Sequence, residues 1–145
     1  TTNFSFNENS TNLIFSKNNY DLDDINKASN ILNDLSKYDN AQSIVIDKGF
    51  ILAIEAAEGT DEMLDRVYRY KKKLKLDKSS GILVKFPKKN QSLDVDLPVI
   101  GPRTIKLLKK SKINSLAISR KYTLINNLSK TLMEIEKNKI NLFLI

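Results

Sequence analysis

Two residue types that carry much enzyme chemistry are missing from this 145-residue chain, which has no cysteine and no histidine. The lack of cysteine excludes a disulfide, a thiolate zinc site and a cysteine nucleophile. The lack of histidine excludes a serine–histidine triad and nearly every design of zinc hydrolase. Any metal must therefore take oxygen ligands, which points to Mg²⁺, Mn²⁺ or Ca²⁺, and acid–base chemistry must come from Asp, Glu, Lys or Tyr.

Long hydrophobic runs are missing as well. No window reaches the length of a membrane span and no signal-peptide pattern opens the chain, so we expect a cytoplasmic location. The length fits one domain with a buried core, and 41% hydrophobic with 28% charged residues is ordinary for a globular protein. The net charge of +7 favours an anionic partner such as nucleic acid, a phosphate ester or an acidic membrane surface. The abundance of Lys, Asn and Ile also indicates a compositional bias of the source genome.

Helical and strand patterns alternate along most of the chain. Residues 1–20 are rich in Asn, Ser and Thr, and they are predicted to form a poorly ordered lead-in. Helices are predicted to begin at Asp21, after the acidic stretch of residues 55–61, at Pro102 and near Asn126. Strands are predicted over residues 42–46, 50–54, 81–86, 93–97, 116–118 and 141–145, with the first two joined as a hairpin. The sequence therefore predicts a single α/β domain over residues 21–145, with a mixed sheet and flanking helices.

The stretch Glu55-Ala56-Ala57-Glu58-Gly59-Thr60-Asp61 is the first candidate site. Its carboxylates lie where a strand gives way to a helix, which is where ligand sites collect in open α/β sheets. Mg²⁺ takes one or two such carboxylates and leaves room for substrate phosphates. Local pattern alone favours a simpler interpretation, a turn and a helix start in which Thr60 is the cap and Asp61 suits the positive helix end.

The second candidate is the segment of residues 96–104. A helix that begins near Pro102 leaves its first amides unpaired, and Arg103 can donate two hydrogen bonds to phosphate oxygens. Asp96, just upstream, is placed to hold a metal or a water beside the same phosphate. The alternative is an ordinary helix start, with Asp96 on the wet face of an edge strand. Lys85, late in an apolar strand, either neutralises a diphosphate or surfaces at the strand end.

The lysine pairs and triplets have a simpler explanation. Residues 71–73, 88–89 and 109–110 are predicted to be solvated faces, because the aromatic residues do not interleave with them as a nucleic-acid stacking platform requires.

Four segments carry a resemblance to a known family: Gln-Ser-Ile-Val-Ile at 42–46, the run at 55–64, Gly-Ile-Leu-Val-Lys at 81–85 and the run at 96–104. In order and spacing, over roughly residues 20–145, they resemble the C-terminal domain of LpxI-type UDP-2,3-diacylglucosamine pyrophosphatases. The resemblance implies a Mg²⁺-dependent hydrolase of lipid A biosynthesis in Gram-negative bacteria, which releases UMP and 2,3-diacylglucosamine 1-phosphate (lipid X). It also implies a homodimer, a nucleotide-linked lipid bound against an N-terminal domain, peripheral contact with the inner membrane and no nucleic-acid partner.

The resemblance also assigns roles to matching positions. Asp96 is the leading catalytic residue and a metal ligand, Glu58 and Asp61 are further catalytic residues, and Glu55 is a second metal ligand. The implied substrate contacts are Gly59, Thr60, Lys85, Arg103 and Thr104.

Three departures from the family pattern accompany the resemblance. The family's N-terminal half is absent, Ala41 replaces a glycine, and Ser119-Arg120-Lys121 replaces a glycine-bearing turn. Two alternatives therefore stay open: a non-catalytic module that binds nucleic acid or acidic lipid, and a fragment that keeps the fold without the activity.

Overall fold

The computed structural model describes residues 2–3, 19–38, 42–87 and 97–145. Its helices are α1 (Asn19–Ser36), α2 (Thr60–Lys73), α3 (Pro102–Lys110) and α4 (Leu128–Lys137). Its strands are β1 (Thr2–Asn3), β2 (Ser43–Asp47), β3 (Phe50–Ile54), β4 (Ile82–Lys85), β5 (Val99–Ile100), β6 (Ser115–Ile118), β7 (Leu124–Ile125) and β8 (Asn141–Leu144). The predicted α/β domain with a mixed sheet and flanking helices is confirmed.

The main sheet has five strands in the order β3-β2-β4-β6-β8, and a small sheet has the order β1-β7-β5. Strands β2 and β3 form the predicted hairpin, in which Asp47 faces Phe50. Lys48 and Gly49 at its tip both have positive φ, 47° and 84°, as a type I′ turn requires. Strands β4, β6 and β8 run parallel to one another, so their carboxyl ends share one edge of the sheet.

Helices cover both faces of the main sheet because its central strands are apolar on both sides. Val45, Leu83 and Leu116 belong to a core that also contains buried residues of α2, α3 and α4. The neighbouring strand positions, such as Ile44 and Val84, belong to a second core with α1. This alternation follows from the two-residue period of a strand, and it gives three layers.

Several predicted boundaries need correction. The first helix begins at Asn19 rather than Asp21, and the last begins at Leu128 after an Asn127 cap. The short strands β5 and β7 were not predicted, whereas the helix start at Pro102 is confirmed. Residues 1, 4–18, 39–41 and 88–96 lie outside the described residues, and with them most of the predicted lead-in, Ala41 and nearly all of the strand predicted at 93–97.

Lys71 contradicts the predicted solvated face. It is only 2% exposed, and its ammonium group donates hydrogen bonds of 2.6 Å to the carbonyl oxygens of both Ser80 and Lys112. The side chain therefore fastens the end of α2 to the loops that precede β4 and β6. None of the described helices is both long enough and apolar enough to cross a bilayer.

Candidate functional site

The candidate site lies beyond the carboxyl end of the central strand β4, and this end of the main sheet is named the Lys85 edge after the residue at its centre. Lys85 is the last residue of β4, and in register it is paired with Ser43, the first residue of the antiparallel strand β2. Glu55 follows β3 directly, and its amide donates to the Ser43 carbonyl over 3.0 Å. Helix α2 begins here at Thr60, so three strands and a helix start bring these side chains together.

Lys85 is buried at the centre of this cluster. Its side chain donates to Thr60 Oγ1 over 2.9 Å and to the Val99 carbonyl over 3.0 Å, and the residue is 7% exposed. Burial lowers the pKa of the Lys85 ammonium, while the carboxylates of Glu55 and Asp61 act in the opposite direction. Lys85 therefore does not surface at the strand end; it forms a buried cation among oxygen atoms.

Glu55 is held by two hydroxyl groups. Ser43 Oγ donates to Glu55 Oε2 over 2.5 Å, and Thr60 Oγ1 donates to the same oxygen over 3.3 Å. Together with Lys85, these residues form a continuous hydrogen-bonded group. Ser43 was not among the predicted site residues, although it lies in the segment 42–46 that carries part of the family resemblance and is a small polar residue that opens an apolar strand.

Gly59, not Thr60, is the cap of α2, so the predicted cap is wrong. Gly59 has φ of 87° and offers no side-chain cap, and Thr60 is the first helical residue. A positive φ favours glycine, since it has no Cβ to clash. The Thr60 hydroxyl is thereby free of the capping role and is used by Lys85 and Glu55 instead.

An ion pair joins the starts of two helices at the rim of the cluster. Arg103 Nε lies 3.1 Å from Asp61 Oδ2, and the Arg103 side chain is 81% exposed. A pair this exposed contributes little to stability. The Arg103 guanidinium group can therefore leave the Asp61 carboxylate and bind phosphate oxygens instead at small energetic cost.

Two predicted residues make contacts of a different kind. Glu58 pairs with Arg66 and accepts a hydrogen bond from the Ala56 amide, and its contacts among the described residues do not include Lys85. A hydrogen bond with its own backbone is the main cause that lowers the pKa of Glu58, and Arg66 adds to the effect. Thr104 is buried and accepts from the Gly101 amide over 3.3 Å, so its hydroxyl supports the start of α3.

Asp96, the leading catalytic candidate, falls in the segment 88–96 and stays a prediction. Among the residues that the structure describes, no three His, Cys, Asp or Glu side chains are grouped so that they could hold a metal ion. Glu55 and Asp61 are the carboxylates that act on Lys85, and both are oxygen ligands of the kind that Mg²⁺ prefers.

Residues 119–123, where the resemblance implies a glycine-bearing turn, form a loop that contains no glycine. Ser119 Oγ accepts from the Tyr122 amide over 3.2 Å, and the Ser119 carbonyl accepts from Thr123 Oγ1 over 2.7 Å. The Arg120 amide donates to the Ile145 carbonyl over 2.8 Å. Side-chain hydrogen bonds of Ser119 and Thr123 thus support this turn without a glycine.

A cleft of about 560 Å³ opens at the opposite end of the sheet. Its lining includes Asp21, Asp24, Asp47, Gly81 and Asn114, and it contains none of the predicted site residues. Volume alone therefore does not identify the site. The Lys85 edge is favoured by its continuous hydrogen-bonded group of lysine, hydroxyl groups and carboxylate at the carboxyl end of a strand.

The fold and the Lys85 cluster together define a class of protein: an α/β domain with a polar site outside the carboxyl end of a strand of its sheet. A family model described as the LpxI C-terminal domain matches residues 12–143, and the chain belongs to this family. It is similar to the UDP-2,3-diacylglucosamine pyrophosphatase LpxI of Caulobacter vibrioides, with 40% identity over 84 residues. That match covers 57% of this chain and 30% of the relative.

Proposed function

We propose that this domain carries the catalytic site for hydrolysis of UDP-2,3-diacylglucosamine to UMP and 2,3-diacylglucosamine 1-phosphate, a Mg²⁺-dependent step of lipid A biosynthesis. The observation that carries the proposal is the buried Lys85 cation, held by Thr60 and faced by two carboxylates, in a chain of the LpxI C-terminal domain family. A diphosphate binds where positive charge is already fixed, because little reorganisation is then required.

The side chains of the cluster divide the work of a phosphoric anhydride hydrolase. Lys85 and Arg103 supply donors that neutralise charge on the non-bridging oxygens, one from a buried position and one from the exposed rim. Asp96 is proposed to orient or deprotonate the attacking water, since a carboxylate can take that role in a chain without histidine.

The oxygen-rich cluster suits a magnesium ion. Mg²⁺ usually keeps several waters and takes one or two carboxylates together with substrate phosphates, so Asp96 and Glu55 would suffice as protein ligands. The ion, when bound, would withdraw charge from the phosphoryl oxygens. We keep Asp61 as a further candidate, because its carboxylate acts on Lys85 and also pairs with Arg103.

The direct test is release of UMP from UDP-2,3-diacylglucosamine in detergent, with Mg²⁺ or with a chelator. The assay uses this chain alone and with the N-terminal domain of the family supplied, because the chain spans only 30% of the relative that it matches. We expect Mg²⁺-dependent release of UMP that Asp96→Asn nearly abolishes. Full turnover by the Asp96 variant would remove that residue from the mechanism, and no turnover in either form would favour the inactive-fragment alternative.

The competing proposal is a non-catalytic module that binds polyanions. Exposed lysines near the ends of α2 and α3 favour it, among them Lys72 and Lys110, whose ammonium groups both lie over the Tyr68 ring. It predicts salt-dependent retardation of nucleic acid or of acidic lipid vesicles. The pyrophosphatase proposal predicts no nucleic-acid partner, at most peripheral contact with the inner membrane, and a homodimer by light scattering.

A further inference from the structure

Ser43 occupies the position between the acidic and the basic side chains of the cluster. It opens β2, with Glu55 hydrogen-bonded through the backbone on one side and Lys85 paired in register on the other. The residue is fully buried, at 0% exposure. A buried hydroxyl in the first position of an apolar strand requires a partner, and that partner is the Glu55 carboxylate.

One carboxylate oxygen of Glu55 accepts the hydroxyl protons of both Ser43 and Thr60. Ser43 and Thr60 each have a single hydroxyl proton, and both donate to Glu55 Oε2, over 2.5 and 3.3 Å. The Thr60 oxygen in turn accepts from Lys85 over 2.9 Å. Among the described residues, Glu55 Oε1 receives no hydrogen bond, so one oxygen is fixed and the other is available.

We propose that Ser43 is a positioning residue that fixes the Glu55 carboxylate so that Oε1 faces the diphosphate and its metal ion. This inference rests on the proposed function and adds a residue that acts only through Glu55. The short contact of 2.5 Å is of the charge-assisted kind, which is stronger than a hydrogen bond between neutral groups. Loss of the contact would free the carboxylate to turn toward solvent.

The kinetic test uses Ser43→Ala, Ser43→Thr, Glu55→Gln and the Ser43→Ala/Glu55→Gln double variant. We expect Ser43→Ala to lower kcat about tenfold with little change in KM, as one charge-assisted hydrogen bond warrants. Ser43→Thr keeps the hydroxyl and should restore most of the turnover. The double variant should be no slower than Glu55→Gln alone, because Ser43 acts through Glu55. Independent, multiplying losses in the double variant would overturn the proposal.

A second readout does not require turnover. The carboxylate of Glu55 partly offsets the lowering of the Lys85 pKa. If Ser43 holds that carboxylate in place, Ser43→Ala should lower the pKa of Lys85 further, as measured by NMR titration of its side-chain ammonium group. If the wild type releases no UMP but this change occurs, the proposed function fails while the positioning contact is upheld. An unchanged Lys85 pKa in Ser43→Ala would overturn the inference.

Ser115→Ala is the matched control. Ser115 is also buried, at 2% exposure, also opens a strand of the main sheet and also donates a side-chain hydrogen bond, to Asn114 Oδ1 over 3.0 Å. It lies at the opposite edge, so Ser115→Ala should leave kcat and the pKa of Lys85 unchanged even if it lowers stability. Equal effects of the two alanine variants on kcat and on that pKa would reduce Ser43 to a structural role and overturn the proposal.

Discussion

Two buried lysines lie beside opposite ends of the main sheet and differ in what surrounds them. Lys85 ends strand β4, and Lys71 lies near the end of helix α2. Burial lowers the pKa of both ammonium groups. Lys71 donates to two backbone carbonyls of adjacent loops. Lys85 donates to one carbonyl and to a hydroxyl group that belongs to a cluster with carboxylates. Lysine therefore stabilises two loops in one place and is a candidate to bind an anionic ligand in the other.

Burial of a charge does not by itself identify a functional site. A lysine that donates to backbone carbonyls, as Lys71 does, provides hydrogen bonds for loop carbonyl groups that would otherwise lack a donor. A lysine beside groups that can exchange partners, such as Thr60 and the Asp61–Arg103 pair, can also receive a ligand.

Replacement of Lys85 should reduce activity far more than replacement of Lys71. Lys85→Met should reduce UMP release by about 10²–10³-fold, because a preorganised cation is lost from the site. Lys71→Met should keep turnover within about twofold of the wild type, since its contacts lie at the other edge. The measurement is kcat/KM for both variants under identical conditions. Equal losses would mean that the two positions do not differ in the way proposed.

The next effect concerns stability. Lys71→Ala should lower the free energy of unfolding by about 2 kcal/mol, because two carbonyls lose a charged donor. Urea unfolding followed by circular dichroism gives the value. Lys72→Ala is the control, because this neighbour is exposed and should change stability by less than about 0.5 kcal/mol. A Lys71→Ala variant as stable as the wild type would show that the two hydrogen bonds of Lys71 make no net contribution to the free energy of unfolding.

A smaller effect is expected at the rim. Arg103→Ala should raise KM about tenfold, because one exposed donor to phosphate is lost. Arg66→Ala is the matched control, since Arg66 also pairs with a carboxylate, that of Glu58, and is also exposed. Its KM should stay near that of the wild type. An increase in KM for Arg66→Ala alone would move the substrate contact to the Glu58 side.

The smallest effect is a pair of opposite trends at alkaline pH. Since the folded-state pKa of Lys85 is lowered, the unfolded chain binds more protons between that pKa and the ordinary lysine value of about 10.4. Stability should therefore rise with pH in this window, whereas turnover should fall as Lys85 loses its charge. Urea midpoints and kcat/KM from pH 8 upward measure both. In Lys85→Met, the contribution of this residue to both trends should vanish.

Local patterns in the sequence were sufficient to predict the hairpin, the start of α3 at Pro102 and the buried strand that carries Lys85. Strands β5 and β7 have two residues each, which is too short for any period to show. Ser43 meets Glu55 only through the register of the hairpin, and that is a long-range property.

Side-chain partners were harder to predict than backbone elements. Glu58 pairs with Arg66 because helix α2 returns the guanidinium group to the end of β3, where it also donates to the Ile54 carbonyl. Lys71 is buried although its neighbours Lys72 and Lys73 are exposed, since only one of three consecutive helical positions faces the loops. The place of Asp96 in the site stays a prediction.

We propose that metal and nucleotide bind at the Lys85 edge and not in the cleft lined by Asp21, Asp24 and Asp47. Mn²⁺ added with UMP to the ¹⁵N-labelled protein would test it directly, because the ion broadens the signals of amides close to it. We predict that broadening is strongest at Thr60, at Lys85 and at the start of α3, and that it is clearly weaker at the amides of Gly49 and Gly81, at the other end of β4 and of the hairpin. Broadening centred on Gly49 and Gly81, or none at either edge, would contradict this account.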